Sequence, residues 1–180
     1  MGISVTVAAG NDAYSEVSEQ VPATYPEVMA IASVAARNGN NSCRFLSEPI
    51  RTDTASFFTS DGALDGNNIG VTVSAPGEDQ EDVNRGCTIR STGILSLNSN
   101  GGTTRMSGTS MAAPHAAGVL ALMVEANGGT LDPHTAQVII RSTAFDIGQT
   151  PLDSPSSSYT FDGEREGVLS ACYAVGAACP

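Results

Sequence analysis

A helix predicted at residues 111–127 constrains the fold most, because its sequence leaves almost no polar face. Gly128 and Gly129 supply a C-terminal stop for it. Such a helix should be buried and not amphipathic, and its small side chains allow close approach to a sheet. Its apolar residues include Ala112, Ala113, Ala116, Ala117, Leu120, Leu122, Met123 and Val124. We therefore expect this helix to lie in the interior, against strands.

Short apolar runs predict the strands of that sheet, and Pro76-Gly77 should stop the third of them. A second helix begins with Asp132 as N-cap and Pro133 at its first position, and it continues to about Thr143. Strands that alternate with helices predict an α/β fold with three layers, in which helices cover both faces of a mainly parallel sheet. The predicted strands lie at residues 3–9, 28–35, 71–75 and 94–97.

The length and the charge of the chain limit its size class and its partners. At 180 residues it suffices for one hydrophobic core, and we assign residues 1–180 to a single domain. The formal charge is −11 without any cluster of Lys and Arg, so we expect neither nucleic acid nor a membrane as partner. No apolar run approaches the length of a membrane span. Residues 1–20 lack the pattern of a signal peptide, so a signal for export would lie upstream.

Four cysteines lie at irregular spacings, and none forms a CxxC pair, so we expect disulfides. Four cysteines allow three pairings. The short separation of Cys172 and Cys179 favours that pair, which leaves Cys43 with Cys87. With the acidic charge and the many Gly, Ser and Thr residues, this cysteine use favours a secreted protein.

Ser110 lies in the segment GTSMAAPH, immediately before the long helix. The unpaired N–H groups of a first turn and the positive end of the helix dipole meet there, and they stabilise negative charge beside the serine. Gly108 lets another backbone come close, and Pro114 lies near the first turn, where a missing N–H costs least. A bare serine at a helix start is more often only an N-cap. The surrounding octapeptide favours a nucleophile instead.

The stretch GTSMAAPHAAGVLAL, which starts at Gly108, resembles the nucleophile segment of the subtilisin-like serine proteases. AAGN at residues 8–11 resembles the oxyanion-hole segment of the same family. This resemblance implies a subtilisin-like fold, of which the chain is the carboxy-terminal portion. It also implies a serine endopeptidase that forms an acyl-enzyme on Ser110 and acts on peptides or proteins. Further similar segments follow in the family's order at residues 25–34, 55–57, 75–77 and 163–171.

The resemblance implies roles for the residues around Ser110. The Asn11 amide and the Ser110 backbone N–H would hold the tetrahedral oxyanion, because an amide offers two donors where an aspartate has only acceptors. Taken alone, Asn11 is explained better as a turn residue. Gln20 would lie at the base of the pocket for the side chain that precedes the scissile bond. The implied substrate-binding residues are Ala8, Ala9, Gly10, Gln20, Gly108 and Thr109.

The histidine and the aspartate that activate such a serine are missing, since this family places both ahead of the point where the chain begins. His115 follows Ser110 by five residues on one helix, which turns its side chain well away. We expect His134 to be a capping or exposed residue. An upstream segment or a second chain would supply both groups, so we predict that this chain alone is inactive and leaves an apolar face uncovered. The alternative is a non-catalytic interaction module that keeps the second half of the fold.

The implied chemistry requires no cofactor. Structural calcium is frequent in this family and stays open here. Asp12, Glu16, Glu19 and Asp61 lack the ligand spacing of an EF-hand loop, so they are explained more simply as surface carboxylates. No residue is assigned to a metal.

Overall fold

A computed structural model describes residues 2–45, 50–145, 166–177 and 179, so the start of the family-like segment at residues 163–171 lies outside the described residues. Three strands run parallel, a fourth is antiparallel to the third, and a separate hairpin follows. The sheet contains, in spatial order, β1 (Thr6–Ala8), β2 (Met29–Arg37), β3 (Val71–Val83) and β4 (Ile89–Thr92), and the hairpin contains β5 (Ile94–Leu97) and β6 (Thr103–Met106). The predicted α/β class with a mainly parallel sheet is confirmed.

Helices pack on one face of this sheet. They are α1 (Thr109–Ala126), which contacts β1, β2 and β3, and α2 (Pro133–Ser142), which contacts β3, while the short α3 (Ala171–Ala174) lies against α1. On this face Ile31, Val73 and Ala75 pack against the helices. On the opposite face Ala30 and Val71 belong to a second cluster. Within the described ranges that second face is covered by loops and by a 3₁₀ helix at Val17–Glu19.

α2 begins where its sequence signals predict, whereas α1 begins earlier than predicted. The Asp132 side chain accepts a hydrogen bond from the Thr135 backbone N–H at 3.0 Å, which caps α2 and lowers the pKa of the Asp132 carboxyl. α1 starts at Thr109, two residues before the predicted start, with Gly108 as its N-cap. None of the described helices is both long and apolar enough to cross a membrane.

Contrary to the sequence prediction, α1 is buried on one side only. The sequence predicts complete burial because both sides of the helix are apolar. The buried residues include Ala112, Ala113, Ala116, Val119, Leu120 and Met123. The exposed residues include Pro114, Ala117, Gly118, Ala121 and Leu122. The helix therefore presents an uncovered apolar surface, as we predicted for the chain as a whole.

β3 continues through Pro76-Gly77, although we expected those residues to stop it. An extra residue relative to β2 is accommodated there, because Val34 pairs with Pro76 and Ala35 pairs with Glu78. Beyond this irregularity β3 also pairs with β4, a strand that the sequence did not predict. The backbone partners on both sides outweigh the local turn signal.

Both expected disulfides are present, and they join Cys43 to Cys87 and Cys172 to Cys179. Cys43 is buried in a small cluster with Ile50 and Val83. This bridge therefore fastens the loop after β2 to the turn that follows β3.

Removal of the Cys43–Cys87 bridge by alanine at both positions should lower the free energy of unfolding by about 4 kcal/mol, because a loop of this size constrains the unfolded chain strongly. The two cysteines are separated by 44 residues. Cys172 and Cys179 are separated by 7 residues, and the same relation gives a loss of about 2.5 kcal/mol. Denaturant unfolding of the two double variants measures both losses. A larger loss at Cys172 and Cys179 would contradict this account.

Candidate active site

Ser110 is the second residue of α1, and it is exposed. β6 ends at Met106, and Ser107 and Gly108 carry the chain into the helix. Gly108 has no side chain with which to cap the first-turn N–H groups, so these donors and the helix dipole favour negative charge at Ser110. No side chain within the described residues forms a hydrogen bond with the Ser110 hydroxyl.

Asn11 follows the carboxyl end of β1 and is bound to the residue before Ser110. Its Oδ1 accepts hydrogen bonds from the Thr109 backbone N–H at 2.8 Å and from the Thr109 hydroxyl at 2.9 Å. That hydroxyl accepts from the Gly10 backbone N–H at 3.2 Å. A backbone N–H only donates, so the amide oxygen must face Thr109, and Nδ2 is the group left for another acceptor.

The free end of the Asn11 amide lies beside Gly108. A Cβ on Gly108 would lie 3.2 Å from Asn11 Nδ2, and the φ of Gly108 is 152°, a value that L side chains rarely adopt. The structure therefore brings Asn11, Gly108, Thr109 and Ser110 together at the carboxyl end of β1. Thr109, which we predicted to bind substrate, is buried and uses its side chain to hold Asn11.

The predicted pocket residues Gly10 and Gln20 also meet. A Cβ on Gly10 would approach Gln20 Cγ to 2.8 Å and Ser60 Oγ to 2.6 Å. Ala8 lies in β1 and Ala9 is buried directly after it. Ser60 also belongs to this group, although the sequence did not indicate it. Its backbone N–H donates to the Gly10 carbonyl oxygen at 3.0 Å, and its hydroxyl donates to the Asp12 carbonyl oxygen at 2.9 Å. A serine in a loop gives no signal that would have identified it.

The two histidines make contacts away from Ser110. His115 Nδ1 lies 2.8 Å from the Met111 carbonyl oxygen, one turn earlier on α1, so Nδ1 carries a proton and donates it. His134 is exposed in the first turn of α2. Neither ring forms a hydrogen bond with Ser110 in the part of the chain that the structure describes.

The acidic residues near Asn11 serve local turns. Asp12 Oδ1 accepts from the Tyr14 backbone N–H at 3.1 Å, and Asp12 Oδ2 accepts from the Ser15 hydroxyl at 2.9 Å. Glu16 accepts from the Ser18 hydroxyl at 3.3 Å. Among the described residues, no group of three or more His, Cys, Asp and Glu side chains is placed to hold a metal ion. Asp61 is buried, so it is not the surface carboxylate that the sequence suggested.

Comparison with curated proteins shows similarity to subtilisin-like proteases and to an extracellular protease along most of the chain. It is 31% identical over 138 residues to the subtilisin-like serine protease Pen ch 13 of Penicillium rubens, covering 77% of this chain and 26% of that protein. It is 30% identical over 165 residues to a subtilisin-like protease of Coccidioides posadasii, covering 92% of this chain and 32% of that protein. It is 32% identical over 150 residues to the extracellular protease of Xanthomonas campestris, covering 79% of this chain and 20% of that protein.

Solved structures and a family model give the same result. A protease from Pseudoalteromonas arctica superposes with a TM-score of 0.64 and 26% identity, covering 97% of this chain and 42% of that one. A cold adapted subtilisin-like serine proteinase superposes with a TM-score of 0.58 and 26% identity, covering 93% of this chain and 43% of that one. The chain thus spans 20–32% of the curated relatives above and less than half of these solved chains. A model of the Subtilase family matches residues 1–170, and the chain belongs to that family.

Proposed function

We propose that this chain supplies the nucleophile and the oxyanion hole of a serine endopeptidase. The observation that carries the proposal is the pair of hydrogen bonds that Thr109 donates to Asn11 Oδ1. They orient the amide so that its Nδ2 donors lie beside the helix N-terminus that carries Ser110. Fixed donors aimed at a developing oxyanion need no reorganisation during the reaction, which is why such an arrangement is effective in catalysis.

In the proposed reaction, Ser110 Oγ attacks the scissile carbonyl carbon while a histidine base takes the hydroxyl proton. The carbonyl oxygen becomes an oxyanion, which Asn11 Nδ2 and the Ser110 backbone N–H stabilise. The histidine then returns its proton to the leaving amine, and an acyl-enzyme remains on Ser110. Water attacks that ester by the same route and regenerates the serine. Protein groups and water suffice for each of these steps.

The histidine base and its carboxylate partner lie, in this proposal, outside these 180 residues, in the same polypeptide or in a second chain. Neither His115 nor His134 forms a hydrogen bond with Ser110 within the described residues, and His115 Nδ1 donates to the Met111 carbonyl oxygen. The uncovered apolar side of α1 provides the surface on which such a segment would pack. β1 pairs with β2 alone among the described strands, and Ile3 and Val5 beside it are exposed.

Gln20 and Gly10 support a preference for certain substrate side chains immediately before the scissile bond. Gln20 lies against Gly10, so its polar side chain would border that pocket and reduce the preference for large apolar groups. We also propose that the protein is secreted. Two disulfides persist in oxidising compartments, and a relative from Xanthomonas campestris is named an extracellular protease.

The competing function is a non-catalytic interaction module, and a fluorophosphonate probe separates the two. Only an assembled site activates a serine strongly enough to react, so the complete protein should be labelled and Ser110→Ala should remove the label. Ser99→Ala is a matched control, since it removes an exposed serine hydroxyl from the turn between β5 and β6 and leaves Ser110 in place. A complete protein that stays unlabelled would favour the interaction module.

A further inference from the structure

Glu78 is a carboxylate that the proposed reaction does not use, and it lies next to the turn that precedes Ser110. Its side chain is wholly buried, with 0% exposure. The extra residue of β3 at Gly77 brings Glu78 opposite Ala35 of β2. Ala35 and Ile31 are an even number of positions apart in β2, so their side chains lie on the same face of the sheet. The Ile31 side chain packs against α1, so Ala35 and the opposite residue Glu78 point to the helix-covered face. Without that bulge, strand alternation would turn Glu78 to the other face.

A chain of hydrogen bonds connects Glu78 to the surface. Its Oε2 accepts from the Ser91 hydroxyl at 2.5 Å, and the Ser91 and Ser107 Oγ atoms lie 2.6 Å apart. The Ser91 hydroxyl has a single proton, which it directs to Glu78. Ser107 must therefore donate to Ser91. Consecutive hydrogen bonds of this kind polarise one another, which strengthens each of them.

This chain of hydrogen bonds ends three residues before Ser110. The next residue, Gly108, donates its backbone N–H to the Gly77 oxygen at 2.9 Å. Thr109 then donates to Asn11 Oδ1. Three consecutive residues before the nucleophile are thus each attached to the sheet or to the oxyanion-hole residue, and the first attachment ends on a buried carboxyl group.

We propose that Glu78 is a positioning residue, which acts through Ser91 and Ser107 to hold the turn from which Ser110 and its N–H project. The inference rests on the proposed function, because it assigns Glu78 to the reaction of Ser110. A purely stabilising role explains Glu78 poorly, because burial of a carboxyl group is costly unless its oxygens are hydrogen-bonded. Within the described residues, moreover, its Oε1 has no hydrogen-bond partner.

The test compares variants of the complete protease. Ser107 is exposed, so Ser107→Ala removes only the outer end of the chain of hydrogen bonds. It should lower kcat about threefold to tenfold with KM unchanged, the factor that corresponds to one neutral hydrogen bond. Glu78→Val should lower kcat similarly, and the double variant should be no worse than either single one. Glu78→Gln keeps an acceptor for Ser91 and should retain most of kcat.

Glu81→Gln is the matched control, since Glu81 is also buried in β3 but accepts from the Phe57 backbone N–H at 3.2 Å. Hydrogen exchange of the Gly108 N–H gives a readout that needs no catalysis, and it should be faster in Ser107→Ala than in Glu81→Gln. A wild-type protein that the serine probe does not label would overturn the proposed function, while exchange would still test Glu78. Equal exchange in these variants, or an unchanged kcat in Ser107→Ala, would overturn the positioning role. If Glu78→Val does not fold, Ser107→Ala still tests the positioning role, because Ser107 is exposed.

Discussion

The 180-residue chain by itself should hydrolyse peptides no faster than the uncatalysed background. A segment that carries the triad histidine and aspartate should raise the rate by about 10⁴–10⁶-fold, a range that belongs to subtilisins lacking triad members and that we carry over to this chain as a family value. A serine hydroxyl without a base is almost wholly protonated at neutral pH. The oxyanion donors that Asn11 and Ser110 provide could then give only weak assistance.

Hydrolysis of a chromogenic peptide, with and without the added segment, measures this effect. Ser110→Ala should abolish whatever activity the segment restores. The circular dichroism of the chain should show the helices described above, because an unfolded chain would be inactive for another reason. Robust, Ser110-dependent proteolysis by the chain alone would contradict the prediction. His115→Ala and His134→Ala would then identify the base.

Asn11→Asp in the assembled protease should lower kcat by about 10²–10³-fold with little change in KM, a range measured for an oxyanion-hole asparagine in a subtilisin and applied here through family membership. An aspartate keeps one oxygen for the Thr109 N–H and hydroxyl. Its other oxygen, however, replaces the Nδ2 donor and repels the oxyanion. The loss of kcat therefore reports donation by the amide and not the position of the side chain.

Thr109→Val is the matched control for this prediction. It removes the hydroxyl that donates to Asn11 Oδ1, whereas the Thr109 backbone N–H still holds the amide. We expect a loss of kcat of about tenfold or less, as for one hydrogen bond. Steady-state kinetics on one peptide substrate compares the variants. An Asn11→Asp enzyme with kcat close to that of the wild type would show that Asn11 is not an oxyanion donor.

Local signals in the sequence were sufficient for the helix that begins with a side-chain cap. Asp132 is followed by α2, since a helix start depends on neighbouring residues, whereas α1 begins two residues before its predicted start. The motif around Ser110 predicted its place at the helix N-terminus. Asn11 was assigned through the resemblance of residues 8–11 to a family segment, since the residue taken alone is explained better as part of a turn. Both disulfide pairs also followed from cysteine spacing.

Pairing partners and burial depended on residues far apart in the chain, and only the tertiary structure decided them. β3 passes through Pro76-Gly77 because β2 and β4 bind its backbone, a contact that no local window contains. The bulge at Gly77 determines which face Glu78 occupies and thereby joins it to Ser107. The orientation of the Asn11 amide likewise comes from Thr109, 98 residues away. The sequence by itself determined which groups could react, because motifs and caps are local. The fold decided which groups meet, because strand register and hydrogen bonding depend on residues that are far apart in the chain.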